Sequence, residues 1–213
     1  MYWIFSTITA LFAYFVGSLN SIVLASNFVF HRNLRRFGKG SAFISNFRRV
    51  FGWKGGVKLL LVEAVLDALP ILLGGFLFGL TNHAIVGRAL AGFCLVMGRM
   101  WPAIYELRGG TGLIALIAAS FGVSPALGVA VLIAAAAVAA LSRYLSLGTI
   151  TGAVVLIITS LLSLDDSLAV RLCVFIALAV LVRQIPAMIR LAGRKEPRIT
   201  LEEDISYKFD EKF

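Results

Sequence analysis

Three clusters of residues in this chain have the types and spacing to bind an anion. The first lies in HRNLRRFGKGSAFISNFRRVFGWKGG, His31 to Gly56. From His31 to Lys54 it holds seven Arg or Lys and no acid. Lys39, Gly40, Ser41, Ser45, Asn46 and Arg49 interleave cations with small residues and neutral donors. Such a set can grip phosphate through charge-assisted hydrogen bonds. It can equally be an anchor on anionic lipid, worth about 1 kcal/mol per basic group near the surface. The second cluster is Arg108-Gly109-Gly110-Thr111-Gly112, just before an apolar run. Glycine lets backbone approach a ligand, and helix N-terminal N–H groups attract anions. No Gly-Lys-Ser/Thr follows four free residues, so this is not a Walker A loop. A structural turn between membrane helices is the competing reading. The third is Arg143-Tyr144-Leu145-Ser146-Leu147-Gly148-Thr149, which adds a cation and three hydroxyls.

Other reactive residue types fit structure better than chemistry. Glu63 and Asp67 are four apart inside an apolar run, so they share a helix face. They can wall a polar site, or pair structurally with Arg49, Arg99 or Arg88. The structural pairing is favoured. Gly75 and Gly79 form a Gly-xxx-Gly pair suited to helix packing. Cys94 and Cys173 sit in apolar runs without metal or disulfide spacing and read as small buried hydrophobes. No metal site and no cofactor motif is present in the sequence.

The elements that must carry these residues are membrane helices. Of the 213 residues, 60% are hydrophobic and 15% charged, with a mean hydropathy of +0.93. Soluble domains are about 45–50% apolar and about 25% charged. This composition excludes a cytosolic enzyme, a disordered chain and a nucleic-acid module, despite the net charge of +9. Seven apolar runs stand out. They are roughly Trp3–Phe30, Val57–Leu80, Ala84–Met97, Leu113–Phe121, Ala126–Leu141, Leu147–Leu162 and Leu168–Ala192. The fourth is short and suits a re-entrant or half-buried helix. The first carries no basic leader and reads as a retained span, not a signal peptide. The expected fold is therefore an all-α, multi-pass bundle of about seven transmembrane helices, residues 1–195. A charged tail, residues 196–213, follows it. No internal repeat is visible, which argues against a transporter of two symmetric halves.

Charge orients the bundle. Of the 20 Lys and Arg, all but Arg88 and Arg171 belong with the segments after runs one, three, five and seven. The opposite side carries Asp165 and Asp166. By the positive-inside rule the N-terminus is outside and the C-terminus cytoplasmic. All three anion-binding clusters then lie toward the cytoplasmic face of the cell (inner) membrane. A phosphorylated ligand follows from their composition.

Taken together, these residues resemble the bacterial acyl-phosphate:glycerol-3-phosphate acyltransferases over nearly the whole chain. Gly17-Ser18-Leu19-Asn20-Ser21 stands where that family has Gly-Ser-Ile-Pro. Its first signature is Gly-Ser-Gly-Asn-x-Gly-Ala-Thr-Asn, then an Arg and Leu-Gly. Gly40, Ser45, Asn46, Arg49 and Gly52 fit it. Its second has His, Phe-Pro and Lys-Gly-Gly-Lys-Gly. Pro102, Gly109, Gly110 and Gly112 match that one, and Arg108 replaces a Lys. SRYLSLGTI resembles its Arg-Tyr-x-Ser-Leu-Gly-Ser-Ile, with Ser146 in place. Arg190 and Glu196 match its closing Arg-Leu-x-x-Gly-x-Glu.

The departures fall on reactive positions. Lys39 replaces a Ser, Ser41 an Asn, Arg99 a His and Thr111 a Lys. In span two the family's Asp…Lys pair appears as Glu63 and Leu66. The family's His-Arg-x-Asn appears as Gln184, Ile185, Pro186 and Ala187.

The resemblance implies transfer of an acyl group from acyl phosphate to glycerol 3-phosphate, giving lysophosphatidate, without a metal, cofactor or covalent intermediate. It implies catalytic roles for Ser45, Asn46 and Arg49. Substrate binding would fall to Lys39, Gly40, Ser41, Arg108, Gly109, Gly110, Gly112, Ser146 and Glu196. The alternative is a catalytically silent or substrate-switched relative that binds a phosphorylated lipid, metabolite or protein partner. Neither histidine, His31 or His83, stands in for the lost one, and an Arg cannot act as a base near neutral pH.

Overall fold

The computed structural model describes residues 2–19, 44–103, 109–194 and 196, with side chains from residue 57 in the second helix. Every regular element among them is an α-helix: α1 Tyr2–Ser18, α2 Ile44–Gly79, α3 Ala84–Met100, α4 Leu113–Val123, α5 Pro125–Ser142, α6 Leu145–Ser163 and α7 Ser167–Ala192. The runs expected from residue 84 onward match α3 to α7 within three residues at each end. Where the first run ends lies outside the described residues. The second run begins earlier than hydropathy indicates. Ile44–Gly56 was expected as loop and is helical. Its Arg and Lys are good helix formers, and hydropathy is blind to a polar helix.

Among the described residues, four helices are long and apolar enough to cross a membrane: Val57–Gly79 within α2, and α5, α6 and α7. At 1.5 Å per residue, the 17 residues of α1 and of α3 reach about 26 Å, close to the hydrocarbon thickness. The 11 residues of α4 reach only about 17 Å, as expected for a half-buried helix.

Two compact units are distinguished: residues 1–19 with 67–200, and residues 20–66 with 201–213. In the first, α3 packs on α1, α4 and α7, and α5 packs on α4 and α6. Leu95, Val96, Met100, Leu116, Val131, Leu156, Ile176 and Val180 fill its core and are fully buried. Outward-facing Phe76, Ile133, Leu162 and Ile189 are exposed. An apolar exterior on this scale belongs in lipid, and the chain is a multi-pass membrane protein. Two buried hydroxyls are satisfied within their own helices: Ser120 donates to the Leu116 carbonyl at 2.7 Å, and Thr149 to that of Leu145 at 3.0 Å. Asp166 caps α7 by accepting from the N–H groups of Leu168 and Ala169.

The glycines that bring α2 onto α3 are Gly74 and Gly87. A Cβ on either would overlap the other's carbonyl oxygen. Of the expected pair, Gly75 lies against the Arg88 side chain, and Gly79 makes only ordinary contact with Ala84. The described part of the second unit is the first portion of α2, where Leu59 and Glu63 are buried.

Candidate anion site at the glycine-rich turn

The expected site residues divide between the two units. In the second unit, Ser45, Asn46 and Arg49 lie on the first two described turns of α2. Lys39, Gly40, Ser41 and Arg108 lie outside the described residues.

The first unit holds the glycine-rich turn, which joins α3 to α4. Helix α3 ends at Trp101, whose N–H donates to the Met97 carbonyl at 2.8 Å. Gly112 caps the start of α4 at φ +79°, the left-handed region that only glycine enters freely. Gly109 is required for a different reason. Its Cα passes so close to the α3 end that a Cβ would overlap the carbonyl oxygens of Arg99 and Met100. The Gly110 N–H donates to the Arg99 carbonyl at 3.1 Å. At Gly110 itself, nothing among the described residues lies within 4 Å of where a Cβ would stand.

Helix α7 holds this turn from one side. Arg183 donates to the Gly109 carbonyl at 2.8 Å and to that of Gly110 at 3.4 Å. Its guanidinium also sits 5.9 Å from the Trp101 ring centre, within cation–π range. Gln184, buried, donates to the Thr111 carbonyl at 3.3 Å. Tyr14 of α1 donates to the Trp101 carbonyl at 2.8 Å. Sequence reasoning placed Arg183 among the orienting charges only. The signal was available, since an arginine inside an apolar run is expected to have a specific partner.

Elsewhere in this unit, Ser146 is buried in the first turn of α6, and its Oγ has no hydrogen-bond partner among the described residues. Such a hydroxyl is costly unless a ligand or water completes it. Glu196 accepts from Arg190 at 2.7 Å, which ties the chain after α7 back to that helix. Arg99, at the position of the family His, donates to the Asp67 carboxylate and, at 2.9 Å, to the Leu19 carbonyl. The structural pairing expected for Asp67 is thus observed. Ala187 is buried and carries no polar group.

A family model for glycerol-3-phosphate acyltransferase matches residues 7–193. The chain belongs to that family. A glycerol-3-phosphate acyltransferase of Thermoanaerobacter sp. (strain X514) is 30% identical over 154 residues, 72% of this chain and 75% of the relative. Its namesake from Listeria monocytogenes (strain EGD-e) is 28% identical over 190 residues, 89% and 94% of the two chains. The fold is similar to the crystal structure of PlsY, an integral membrane glycerol 3-phosphate acyltransferase, in its glycerol 3-phosphate form. The TM-score is 0.74 at 21% identity, covering 92% of this chain and 96% of that one. The lysophosphatidic acid form of PlsY gives the same score and identity. The resemblance seen in the motifs thus extends to the family model and to the fold.

Proposed function

We propose that this protein is a membrane acyltransferase of phospholipid synthesis. It transfers an acyl group from acyl phosphate to glycerol 3-phosphate, giving lysophosphatidate. Family membership supports the reaction class. The observation that carries the site is the glycine-rich turn: its carbonyls are engaged by α7, and a Cβ on its middle glycine would meet nothing among the described residues. In the reaction, the sn-1 hydroxyl attacks the acyl carbonyl carbon. The acyl–phosphate bond breaks, and the hydroxyl proton ends on the released phosphate. The donor is already activated, so positioning and charge stabilisation supply most of the acceleration.

Ser45, Asn46 and Arg49 are the proposed catalytic residues, acting on the phosphates and the developing negative charge. Lys39, Gly40, Ser41, Arg108, Gly109, Gly110, Gly112, Ser146 and Glu196 are the proposed substrate-binding set. The buried Ser146 Oγ, without a partner among the described residues, supports its place there. Residues 1–195 form the membrane domain of this reading and 196–213 its tail. The protein lies in the cell (inner) membrane, N-terminus outside and substrate mouth cytoplasmic, on the strength of the charge asymmetry. A cysteine placed near Lys39 is then expected to label from the cytoplasmic side. Labelling from outside alone would reverse the topology.

The deciding experiment supplies purified protein with acyl phosphate and glycerol 3-phosphate and reads lysophosphatidate. Turnover is expected. Arg108→Ala is expected to weaken binding of a phosphate substrate about tenfold or more, the value of one charge-assisted contact. Unchanged binding would remove Arg108 from the set.

A second reading is favoured by specific contacts. Arg99 is committed to Asp67 and Leu19, Gln184 to Thr111, and Ala187 has no group to offer. These positions hold the family's His and Asn, and none here moves a proton. A silent or substrate-switched relative follows if the assay shows no lysophosphatidate.

A further inference from the structure

We infer that Arg183 and Gln184 are positioning residues for the glycine-rich turn, withdrawing its three carbonyls so that the open side of Gly110 can receive a substrate phosphate. This rests on the reading of the turn as a substrate-binding element. An anion approaching a tight turn meets both N–H dipoles, which attract it, and C=O dipoles, which repel it. Which of these faces the anion decides whether the turn binds it. Gly109, Gly110 and Thr111 present three consecutive carbonyls. Arg183 takes the first two and Gln184 the third, all from α7. A guanidinium bridges neighbouring carbonyls because its donors are fixed in one plane. Trp101 holds that plane from its ring face.

Two neighbouring glycines show what the arrangement is for. Gly109 and Gly112 are explained by the fold, through close approach and left-handed backbone. Gly110 is explained by neither. It is exposed, outside the left-handed region, and a Cβ there would meet nothing among the described residues. The space that its missing side chain leaves lies on the turn whose carbonyls α7 has engaged. A phosphate oxygen can approach the backbone there, drawn by the N–H groups that follow Gly110, since the Gly110 N–H itself donates to the Arg99 carbonyl, and an alanine methyl would stand in its way.

The same geometry reassigns Gln184. At the position of a family His, it acts as a neutral N–H donor to the Thr111 carbonyl. An amide is permanently uncharged and does not release this contact as pH changes.

The test uses full-length protein in detergent or nanodiscs, with Arg183→Met, Arg183→Lys, Gln184→Leu and Gly110→Ala. Three quantities are measured: Tm without ligand, Kd for glycerol 3-phosphate and for inorganic phosphate, and kcat and KM with acyl phosphate. Arg183→Met is expected to raise both Kd values about tenfold or more. Arg183→Lys is expected to recover part of that loss, since an ammonium can reach one carbonyl but not bridge two. Gly110→Ala is expected to keep the wild-type Tm and still lose phosphate affinity, a combination that a structural role cannot produce. An Arg183→Met protein with lowered Tm but wild-type Kd and KM would overturn the inference, as would wild-type affinity in Gly110→Ala. If Arg183→Met fails to fold, the Lys and Gly110→Ala variants decide. Wild-type turnover with an unmoved KM in Arg183→Met sinks the inference and leaves the acyltransferase reading standing. Phosphate binding that depends on Arg183, without turnover, does the reverse. Absence of both binding and turnover overturns both.

Discussion

Arg99→Met is expected to destabilise the protein by about 3–5 kcal/mol, the usual cost of leaving one partner of a buried ion pair alone. Asp67 is fully buried, and its carboxylate accepts from Arg99, which is itself nearly enclosed. Removing the guanidinium strands a carboxylate where no water can solvate it. The Leu19 carbonyl loses its donor as well. Thermal unfolding in detergent should show a Tm drop on the order of 10 °C. The double variant Asp67→Leu/Arg99→Met removes both charges and should recover more than half of the loss. The stranded charge, not the lost attraction, dominates the single variant. If the double variant is no more stable than Arg99→Met, the stranded charge is not the source of the loss, which then lies in the lost contacts of Arg99 to Asp67 and Leu19.

The second large effect concerns turnover. Thr111→Lys, Gln184→His and Ala187→Asn, made together, are expected to raise kcat by about 10²-fold, the lower end of what a positioned general base contributes. Arg99 is left in place in this variant. An imidazole at position 99 is too short to serve both Asp67 and the Leu19 carbonyl, so restoring that family His would carry the stability loss described above. Gln184→His keeps an N–H donor beside Thr111. Ala187→Asn adds volume at a buried position, and overpacking of this kind costs about 1–3 kcal/mol. A Tm measurement beside the kinetics separates that cost from the chemistry. An unchanged kcat would show that the activated donor makes the missing His and Asn unnecessary. Turnover in the restored variant alone would identify a family scaffold that has given up the reaction.

The site was legible in sequence only in part. Gly109, Gly110 and Gly112 were recognised as one element because three glycines in four positions is a backbone requirement that composition displays directly. Sequence could not assign a separate reason to each. Gly112 answers to its own φ and Gly109 to the end of α3. Gly110 answers to neither. Arg183 was read as a topological charge, since nothing in its neighbours along the chain points to a turn more than seventy residues away. Arg99 was read as a lost His. In space it is a gained ion pair with Asp67, one of three arginines that spacing left open as partners. The Gly-xxx-Gly pattern found the right helix but not the glycine that makes the closest approach, because helix rotation about its axis is set by the partner helix.

By itself, the sequence determined the solvent. Sixty per cent hydrophobic residues in runs of helical length dictate an all-α membrane bundle, since only helices satisfy their own backbone in lipid. It also determined the ends of α3 to α7, where Gly, Pro and Asp interrupt hydropathy. It placed the family through motif order. Tertiary structure alone decided how far α2 extends beyond its apolar part, which charge meets which, and what faces the glycine-rich turn. Hydropathy and spacing are local quantities along the chain. An ion pair between Asp67 and Arg99, or a guanidinium across two glycine carbonyls, depends on the crossing and rotation of separate helices. Those are set by packing small residues such as Gly74 against Gly87, for which no single stretch of sequence carries the geometry.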